Sequence, residues 1–478
     1  MQTHDRATTR ILRGPLGFEV ARFGVPLALG MGLQTTFNLV DAYLISRLEA
    51  QLAGPSLGAI GICDQIAALG TIISYGVSIA TAAMVATRHG RGEGDEVRSV
   101  AWQSLLLVGV LGLVFGLIGI GFAGTIMHDL VGAKGEVAEL GTTYLRVIVG
   151  GSYSIFFLLQ VTAIQRALGS SKTPVVMLVS ANVINLVLAV LLVYGPGDAP
   201  TVFSWGPPIA RLLHLPRMEL IGAAWATVIA RTVVLVPLIV AVEWRFKLVR
   251  KLRSFAPDAE MIRRILQVAW PASTQLVVRI LAMLVTHSLV ARAFTTATDQ
   301  RATIALGVVF RLETLALFVG MGWGSAAQTF VAQNLGAGQR PRAIRSGWLS
   351  AGYNALAMIA LAVTFRFVGE TVVAFFTDEP TVVQIAMGYL RTVSPSYIAL
   401  GIGIVLGSAM QGAGQTRLTM IIDAIVMVVF QLPFSILAVT GQGASPVRLW
   451  WVVVATSVVL AASYIVVYRR GRFALTTA

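Results

Sequence analysis

Polar side chains inside apolar segments are the residues of this sequence most able to do chemistry. Asp41 follows Thr35 and Asn38 at intervals of three residues, which places the three on one face of a helix. An ionisable group at bilayer depth is costly, and it is a functional candidate for that reason. Removal from water favours the protonated form of a carboxylate. We therefore predict that Asp41 binds and releases a proton, with an interfacial pair to Arg47 as the alternative.

Amides in a later apolar segment, SANVINLVLAV, are candidate partners of this carboxylate. Asn182 and Asn185 can hydrogen-bond a polar group, or they can join two helices inside a membrane. We expect Asn185 to contact Asp41. The sequence leaves both interpretations of the amides open.

Three ionisable residues of the second half of the chain could add to this chemistry. Glu313 is a second acid that could titrate, or it is a structural partner of Arg279 or Arg311. An unpaired buried arginine is costly, so Arg279 should have an acidic partner. His287 could titrate near neutral pH, although a lone histidine in an apolar segment is more often a packing residue.

The elements that must hold these groups are membrane helices. Of the 478 residues, 56% are hydrophobic and only 12% are charged, against about 25% in soluble domains. The apolar runs are too long for alternating barrel strands, and twelve of them can span a bilayer. They lie near residues 20–46, 54–86, 100–124, 140–167, 174–195, 218–243, 265–294, 303–334, 347–368, 382–411, 417–439 and 447–468.

The net charge of +14 reflects membrane topology rather than nucleic-acid binding. Basic residues gather in alternate connections such as Arg88–Arg98 and Arg340–Arg345, while the other connections carry acids such as Asp129. Because basic connections stay in the cytoplasm, both termini are expected there. Met1–Gly14 is polar and basic, so we expect no cleavable signal peptide. The connection 195–217 holds five prolines and should be an irregular outer loop.

A glycine-rich basic turn occurs twice in the chain. VATRHGRGEGDEVRSVAW, which begins at residue 85, aligns with VAQNLGAGQRPRAIRSGW at an offset of 246 residues. Gly90 falls on Gly336, and Gly92 falls on Gly338. We predict that these four glycines allow tight turns with positive φ.

The repeated turn predicts a duplicated architecture. Pro26 and Pro271 also correspond, at an offset of 245 residues. Six spans return the chain to its starting side, so the fold is expected to be all-α, with twelve transmembrane helices in two parallel six-helix repeats and a central cleft. The predicted parts are an N-terminal lobe (1–243), a basic cytoplasmic linker (244–264) and a C-terminal lobe (265–478).

The duplicated frame indicates transport, because two similar lobes can rock and expose one site to alternate sides. Five scattered histidines and a single cysteine, Cys63, offer no catalytic cluster, metal site or internal disulfide, so an enzyme is not expected. No Walker lysine-serine pair follows either glycine turn. We therefore expect no nucleotide cofactor and a secondary mode of transport.

Four motifs, spread over nearly the whole chain, resemble the multidrug and toxic compound extrusion (MATE) family. They read FNLVDAYLISRLEAQLAGPSLGAIGI, RALGSSKTP, LIGAAWATVIART and AQNLGAGQRPRA. The resemblance is to the DinF branch above all, in which the aspartate matching Asp41 is proposed to respond to protons. It implies a monomeric, multi-pass protein of the bacterial inner membrane. It also implies export of hydrophobic, cationic small molecules by antiport, with the proton rather than sodium as the coupling ion.

Two departures from the family pattern bear on the site. Family members carry an aspartate four residues after the asparagine that matches Asn185, and Ala189 stands there instead. The NorM branch carries C-terminal acids where this chain has none: the count from Pro271 falls near Arg279, and Pro395–Ser408 contains no acid. The missing acids favour protons over sodium and place a two-acid proton network in doubt.

The resemblance implies two groups of site residues. Cation coupling is expected at Asp41, Asn182, Asn185 and Glu313. The substrate cavity is expected to include Gln34, Asn38, Arg279 and His287. The alternative function is a flippase for a lipid-linked anionic precursor in the same superfamily, because Arg231, Arg279 and Arg311 could hold a pyrophosphate.

Overall fold

The protein is described by a computed structural model. It covers residues 6–252, 254–296, 299, 301–374, 376–377, 379–441 and 445–471. For residues 6, 34–40, 42 and 50 it describes the backbone alone. Helices account for almost all of this part of the chain, and no strand occurs in it.

Twelve helices in the described chain are long and apolar enough to cross a membrane, as the sequence predicts. We number them spans 1 to 12 in chain order. Their bounds are Leu16–Ser46, Ala50–Arg91, Gly94–Leu130, Gly135–Ala167, Lys172–Tyr194, Glu219–Phe246, Ala259–Phe294, Arg301–Gly336, Arg340–Ala374, Pro380–Gly412, Thr416–Thr440 and Pro446–Arg469. A short helix, Arg6–Arg13, precedes span 1.

Spans 4 and 10 are interrupted at corresponding positions. Gly151 separates the two helices of span 4, and the 3₁₀ turn Ser394–Ser396 separates those of span 10. Ser396 follows Gly151 by 245 residues, which is the offset predicted from the sequence. The same irregularity in both halves is what a duplicated six-span unit produces.

The helices are longer than the apolar runs that predict them. Span 2 covers Ala50–Arg91 where the sequence predicts 54–86, and span 9 covers Arg340–Ala374 where it predicts 347–368. Hydropathy marks only the apolar layer. A helix satisfies its own backbone hydrogen bonds, so it continues through polar residues beyond that layer.

The connection 195–217 is less irregular than predicted. It contains a 3₁₀ turn, Thr201–Phe203, and a short helix, Gly206–Leu212, that has proline at its first turn. Proline fits there because the first N–H groups of a helix have no intrahelical partner. Arg217 closes the connection with an ion pair of 3.0 Å to Glu49, which precedes span 2.

The two glycine turns lie at one end of the bundle, which we call the turn end. Gly92 and Gly338 have φ of 78° and 74°, so the predicted positive-φ turns are present at these two positions. Gly90 and Gly336, for which the same was predicted, instead remain within spans 2 and 8. Because glycine has no side chain, spans 2 and 8 approach each other closely at these two positions.

The apolar core shows that the halves join at the turn end and separate at the opposite end. Two buried clusters combine residues of both halves, for example Phe23 with Phe330 and Val85 with Ala332. The other two clusters each belong to one half. One gathers residues from 44 to 226 and the other gathers residues from 290 to 450.

Candidate functional site

Asp41 lies on span 1 at the centre of a polar contact between three spans. The amide nitrogen of Asn185 on span 5 donates to both of its carboxylate oxygens, at 3.0 and 3.1 Å. The hydroxyl of Thr227 on span 6 lies 3.1 Å from the amide oxygen of Asn185. The contact expected between Asn185 and Asp41 is therefore present, and Thr227 fixes which way the amide faces.

A small cavity of about 50 Å³ borders this contact. It is lined by Asp41, Ile155, Leu158, Leu178, Ala181, Asn182, Asn185, Thr227, Ala230 and Arg231. A cavity of this size holds a few water molecules, whereas a drug-sized ligand needs several hundred Å³. In this conformation the arrangement is suited to exchange of protons through water rather than to enclosure of a large substrate.

Thr227 and Arg231 bring chemistry that the sequence did not assign to the proton site. Both lie in the span 6 motif LIGAAWATVIART, one helical turn apart. Thr227 orients the amide that holds Asp41, and Arg231 adds a fixed positive charge to the same cavity. The motif could have pointed to Thr227, but only the packing of spans 1, 5 and 6 shows what the residue touches.

Ala189 occupies the position of the family's second aspartate. Its side chain is fully buried, in an apolar cluster with Leu44 and Val193. It lies one helical turn beyond Asn185 on span 5 and does not line the cavity beside Asp41. The first half therefore presents Asp41 without that second acid.

The second half contains a closed ion pair. The guanidinium of Arg279 on span 7 donates to the carboxylate of Asp423 on span 11, and Asp423 is fully buried. Gln275 donates to the same carboxylate at 2.9 Å, and the hydroxyl of Tyr464 donates to it at 2.7 Å. Arg279 therefore has the acidic partner that the sequence analysis expects, and this partner is not Glu313.

Glu313 lies on span 8 against an aromatic pair from span 10. The hydroxyl of Tyr389 donates to its carboxylate at 2.8 Å. The second tyrosine, Tyr397, is also buried there. Arg311 contacts the ring of Phe376. Glu313 is thus held by a neutral donor, as Asp41 is, and its predicted role in coupling remains a prediction.

The remaining predicted site residues are dispersed or lie outside the described part. His287 packs edge-on against Phe310, with ring centroids 5.3 Å apart. The side chains of Gln34 and Asn38 lie outside the described residues. In the described chain, no group of three or more His, Cys, Asp or Glu could hold a metal ion.

The position in the second half that corresponds to Asp41 is Thr286. The amide of Gln431 on span 11 lies 3.3 Å from its hydroxyl, as Asn185 on span 5 contacts Asp41. The amide contact therefore occurs in both halves, but only the first half places an acid in it.

The family model MatE matches this chain twice, over residues 26–191 and 260–437. The two matches together cover more than half of the chain. The protein therefore belongs to the MATE family, whose members are membrane transporters of small molecules and not enzymes.

Individual relatives agree with this assignment. A FAD transporter of Shewanella oneidensis is 25% identical over 89% of this chain and 89% of its own length. A probable multidrug resistance protein of Bacillus subtilis, YpnP, is 24% identical over 91% of this chain and 90% of its own length. A solved multidrug resistance MATE transporter in an outward-facing conformation superposes with a TM-score of 0.85 at 21% identity and covers 99% of both chains. This last likeness shows the shared fold.

Proposed function

We propose that the protein exports hydrophobic, cationic small molecules in exchange for protons. The observation that carries the proposal is the Asp41 carboxylate, held by the neutral amide of Asn185 beside a water-sized cavity. The N–H of this amide can donate to a charged carboxylate and also to the carbonyl oxygen of a protonated one. The site can therefore change charge without losing its contact.

Alternating access would convert that charge change into transport. Substrate enters the cleft from the cytoplasm, and the two lobes, 1–243 and 265–478, rock about the linker 244–264 until the cleft opens outward. Protonation of Asp41 then alters the contact with Asn185 on span 5, and substrate leaves. The proton is released inside when the lobes return. Proton and substrate must favour different conformations for this coupling to work.

Glu313 is proposed as a second proton site, because it too is an acid held by a neutral donor, Tyr389. Asn182 lines the cavity beside Asp41 and is proposed to guide water to it. Gln34, Asn38, Arg279 and His287 remain the proposed boundary of the substrate cleft. Membership of the DinF branch also stays a proposal.

The proposed setting is the inner membrane of a bacterium. Both described ends of the chain lie at the turn end, since Thr8 contacts His89 and Arg340 donates to the backbone of Gly471. The basic residues of that end would place it in the cytoplasm. The proposed working unit is a monomer in the bilayer.

A second function follows from the positive charge in the cavity. Arg231 lines the same cavity as Asp41, and a guanidinium suits carboxylate or phosphate groups. One relative is a FAD transporter. An anionic substrate, including a lipid-linked precursor, is therefore the alternative to a cation.

Transport by the purified protein in liposomes that hold a pH-sensitive dye tests the proposal. Lipophilic cations such as ethidium should evoke proton movement in wild type and none in Asp41→Asn. Asp129→Asn, at an exposed acid that does not line the cavity, should behave as wild type.

Three outcomes would contradict the proposal in different ways. Proton movement that needs sodium would change the coupling ion. Movement that survives Asp41→Asn would move coupling to Glu313. No proton movement with any cation, together with transport of an anion such as FAD, would support the alternative function.

A further inference from the structure

Spans 2 and 8 cross at the turn end through a reciprocal glycine contact. A Cβ on Gly90 would lie 2.1 Å from the backbone oxygen of Gln333, and a Cβ on Gly336 would lie 2.0 Å from the backbone oxygen of Thr87. Ordinary contacts of this kind begin at 3.4 Å, so a side chain at either position requires the two helices to move apart.

The contact has the symmetry of the repeat. Gly336 follows Gly90 by 246 residues, and Gln333 follows Thr87 by the same offset. Gly90 meets Gln333, and Gly336 meets Thr87. The second contact is therefore the first one with the two halves exchanged. Such a self-matched contact lies on the pseudo-two-fold axis that relates the halves. The repeated glycine turn thus supplies both sides of one interface.

A second pair of glycines continues the contact deeper in the bundle. A Cβ on Gly76 of span 2 would lie 2.8 Å from the backbone oxygen of Ala269 on span 7. A Cβ on Gly322 of span 8 would lie 2.5 Å from the Cα of Ala28 on span 1. Gly76 and Gly322 again differ by 246 residues. They precede the first pair by 14 residues, or about 21 Å of helix.

Two chain segments cross between the halves on either side of the glycine contact. The segment before span 1 lies against span 9, where Arg342 donates to the carbonyl of Ile11 at 3.0 Å and to that of Gly14 at 2.6 Å. Thr8 of the same segment lies 2.6 Å from the ring nitrogen Nε2 of His89 at the end of span 2. This segment therefore touches both halves.

The segment before span 7 makes the corresponding crossing in the opposite direction. It lies against span 3, where Trp102 donates to the carbonyl of Phe255 at 3.1 Å and Gln103 donates to that of Ala256 at 2.9 Å. The backbone N–H of Asp258 donates back to Gln103 at 3.0 Å. Spans 3 and 9 are counterparts, so the two segments are exchanged symmetrically.

We propose that this symmetric set is the inner gate of the transporter. Spans 2 and 8 form its centre at Gly90 and Gly336, and the two exchanged segments, 6–14 and 254–258, form its straps. The gate is closed in this structure, because the apolar clusters that mix the two halves lie at the turn end. The inference rests on the alternating-access proposal above, in which the gate must open to admit substrate from the cytoplasm.

Distances between spin labels across the turn end test the gate without any substrate. Labels replace Glu93 and Arg345, two exposed residues on opposite halves, in a Cys63→Ala background. Gly90→Ala and Gly336→Ala should each lower the short-distance population by at least about two-fold, because the added methyl group favours the open conformation.

Two matched substitutions control for the loss of glycine itself. Gly61 lies on span 2 and Gly307 on span 8, and a Cβ at either position would meet nothing within 4 Å. Gly61→Ala and Gly307→Ala should leave the distance distribution unchanged. A shift of equal size in these controls would overturn the proposal, as would an unchanged distribution in Gly90→Ala and Gly336→Ala.

The straps provide variants that introduce no clash, should the glycine variants fail to fold. Arg342→Leu and Gln103→Leu remove the hydrogen bonds that these two side chains make to the straps, and they should shift the distances in the same direction by a smaller amount. No shift in either would refute the role of the straps. A wild-type protein that moves no substrate, yet shows these shifts, would contradict the transport proposal and leave the gate standing.

Discussion

The two halves share one frame and treat their buried acids differently. In the first half, Asp41 is held by the neutral amide of Asn185 beside a cavity. In the second half Thr286 takes that position, and the buried acid Asp423 is held by the cation Arg279. The direct partner of Asp41 is a neutral amide, although Arg231 lines the same cavity, whereas the direct partner of Asp423 is the guanidinium of Arg279. We therefore expect Asp41 to carry the main proton chemistry, and the pair of Arg279 and Asp423 to support the structure.

The glycine contacts behave in the opposite way, because they are the same in both halves. Gly90 and Gly336 each require the other half to approach closely, so a change on one side would spoil a contact made by both. Charged groups act within one half and are free to diverge after duplication. At the shared axis span 2 contacts its own counterpart, span 8, so the two halves must keep the same small residue there.

Making the first half resemble the second should have the largest effect. Asp41→Thr removes the proton-binding group while the amide contact found at Thr286 remains possible. We expect substrate-driven proton movement to fall to the level of empty liposomes. Thr286→Ala, at the corresponding position of the second half, should retain it. Equal losses in both variants would show that the position matters for packing rather than for protons.

Breaking the ion pair of the second half should act on stability. Asp423→Asn leaves Arg279, whose side chain is 19% exposed, without its counter-charge, so we expect a loss at or below the roughly 3–5 kcal/mol that breaking a fully buried pair costs. Asp41→Asn keeps a polar group beside Asn185 and should change the free energy of unfolding by about 1 kcal/mol or less. Thermal unfolding of the purified variants in detergent measures both. Similar losses in the two would remove the contrast between the halves.

Glu313 offers an intermediate case, since it lies in the second half but has a neutral donor. Tyr389→Phe removes that donor and should cost about 1 kcal/mol of stability while the acid remains. Glu313→Gln should lower the number of protons moved per substrate, without the complete loss expected at Asp41. That ratio can be measured from simultaneous dye and substrate fluxes. An unchanged ratio would confine proton binding to the first half.

Asp299, in the connection between spans 7 and 8, should show the smallest effect. Its hydrogen bonds with Arg301 lower the pKa of the carboxyl to about 2. A lowered pKa in the folded state stabilises the protein above the unfolded pKa of about 4. This contribution is lost as the pH falls from about 4 to about 2. The difference in unfolding temperature between wild type and Asp299→Asn should shrink over that range, and a constant difference would contradict the assignment.

Much of the fold could be predicted from the sequence because the bilayer imposes simple rules. Twelve apolar runs became twelve helices, and the two glycine turns marked the duplication. The helix ends were placed less well, since span 2 runs to Arg91 through polar residues that carry no hydropathy signal. Of the candidate site, Asp41 and Asn185 were found together because both are polar residues within apolar runs. Thr227 and the Asp423 partner of Arg279 were not identified.

The sequence by itself determined the number of spans, their repeat and the acids inside them, because each of these depends on residue type and local order. Only the tertiary structure decided which group partners each acid. Asp41 and Asn185 are 144 residues apart, and so are Arg279 and Asp423. In the first pair the donor is a neutral amide, whereas in the second it is a charged guanidinium. Such pairings depend on how helices rotate and tilt against one another, and no single helix encodes that. The same holds for Gly90, because only the packed structure shows that span 8 approaches it too closely for a side chain.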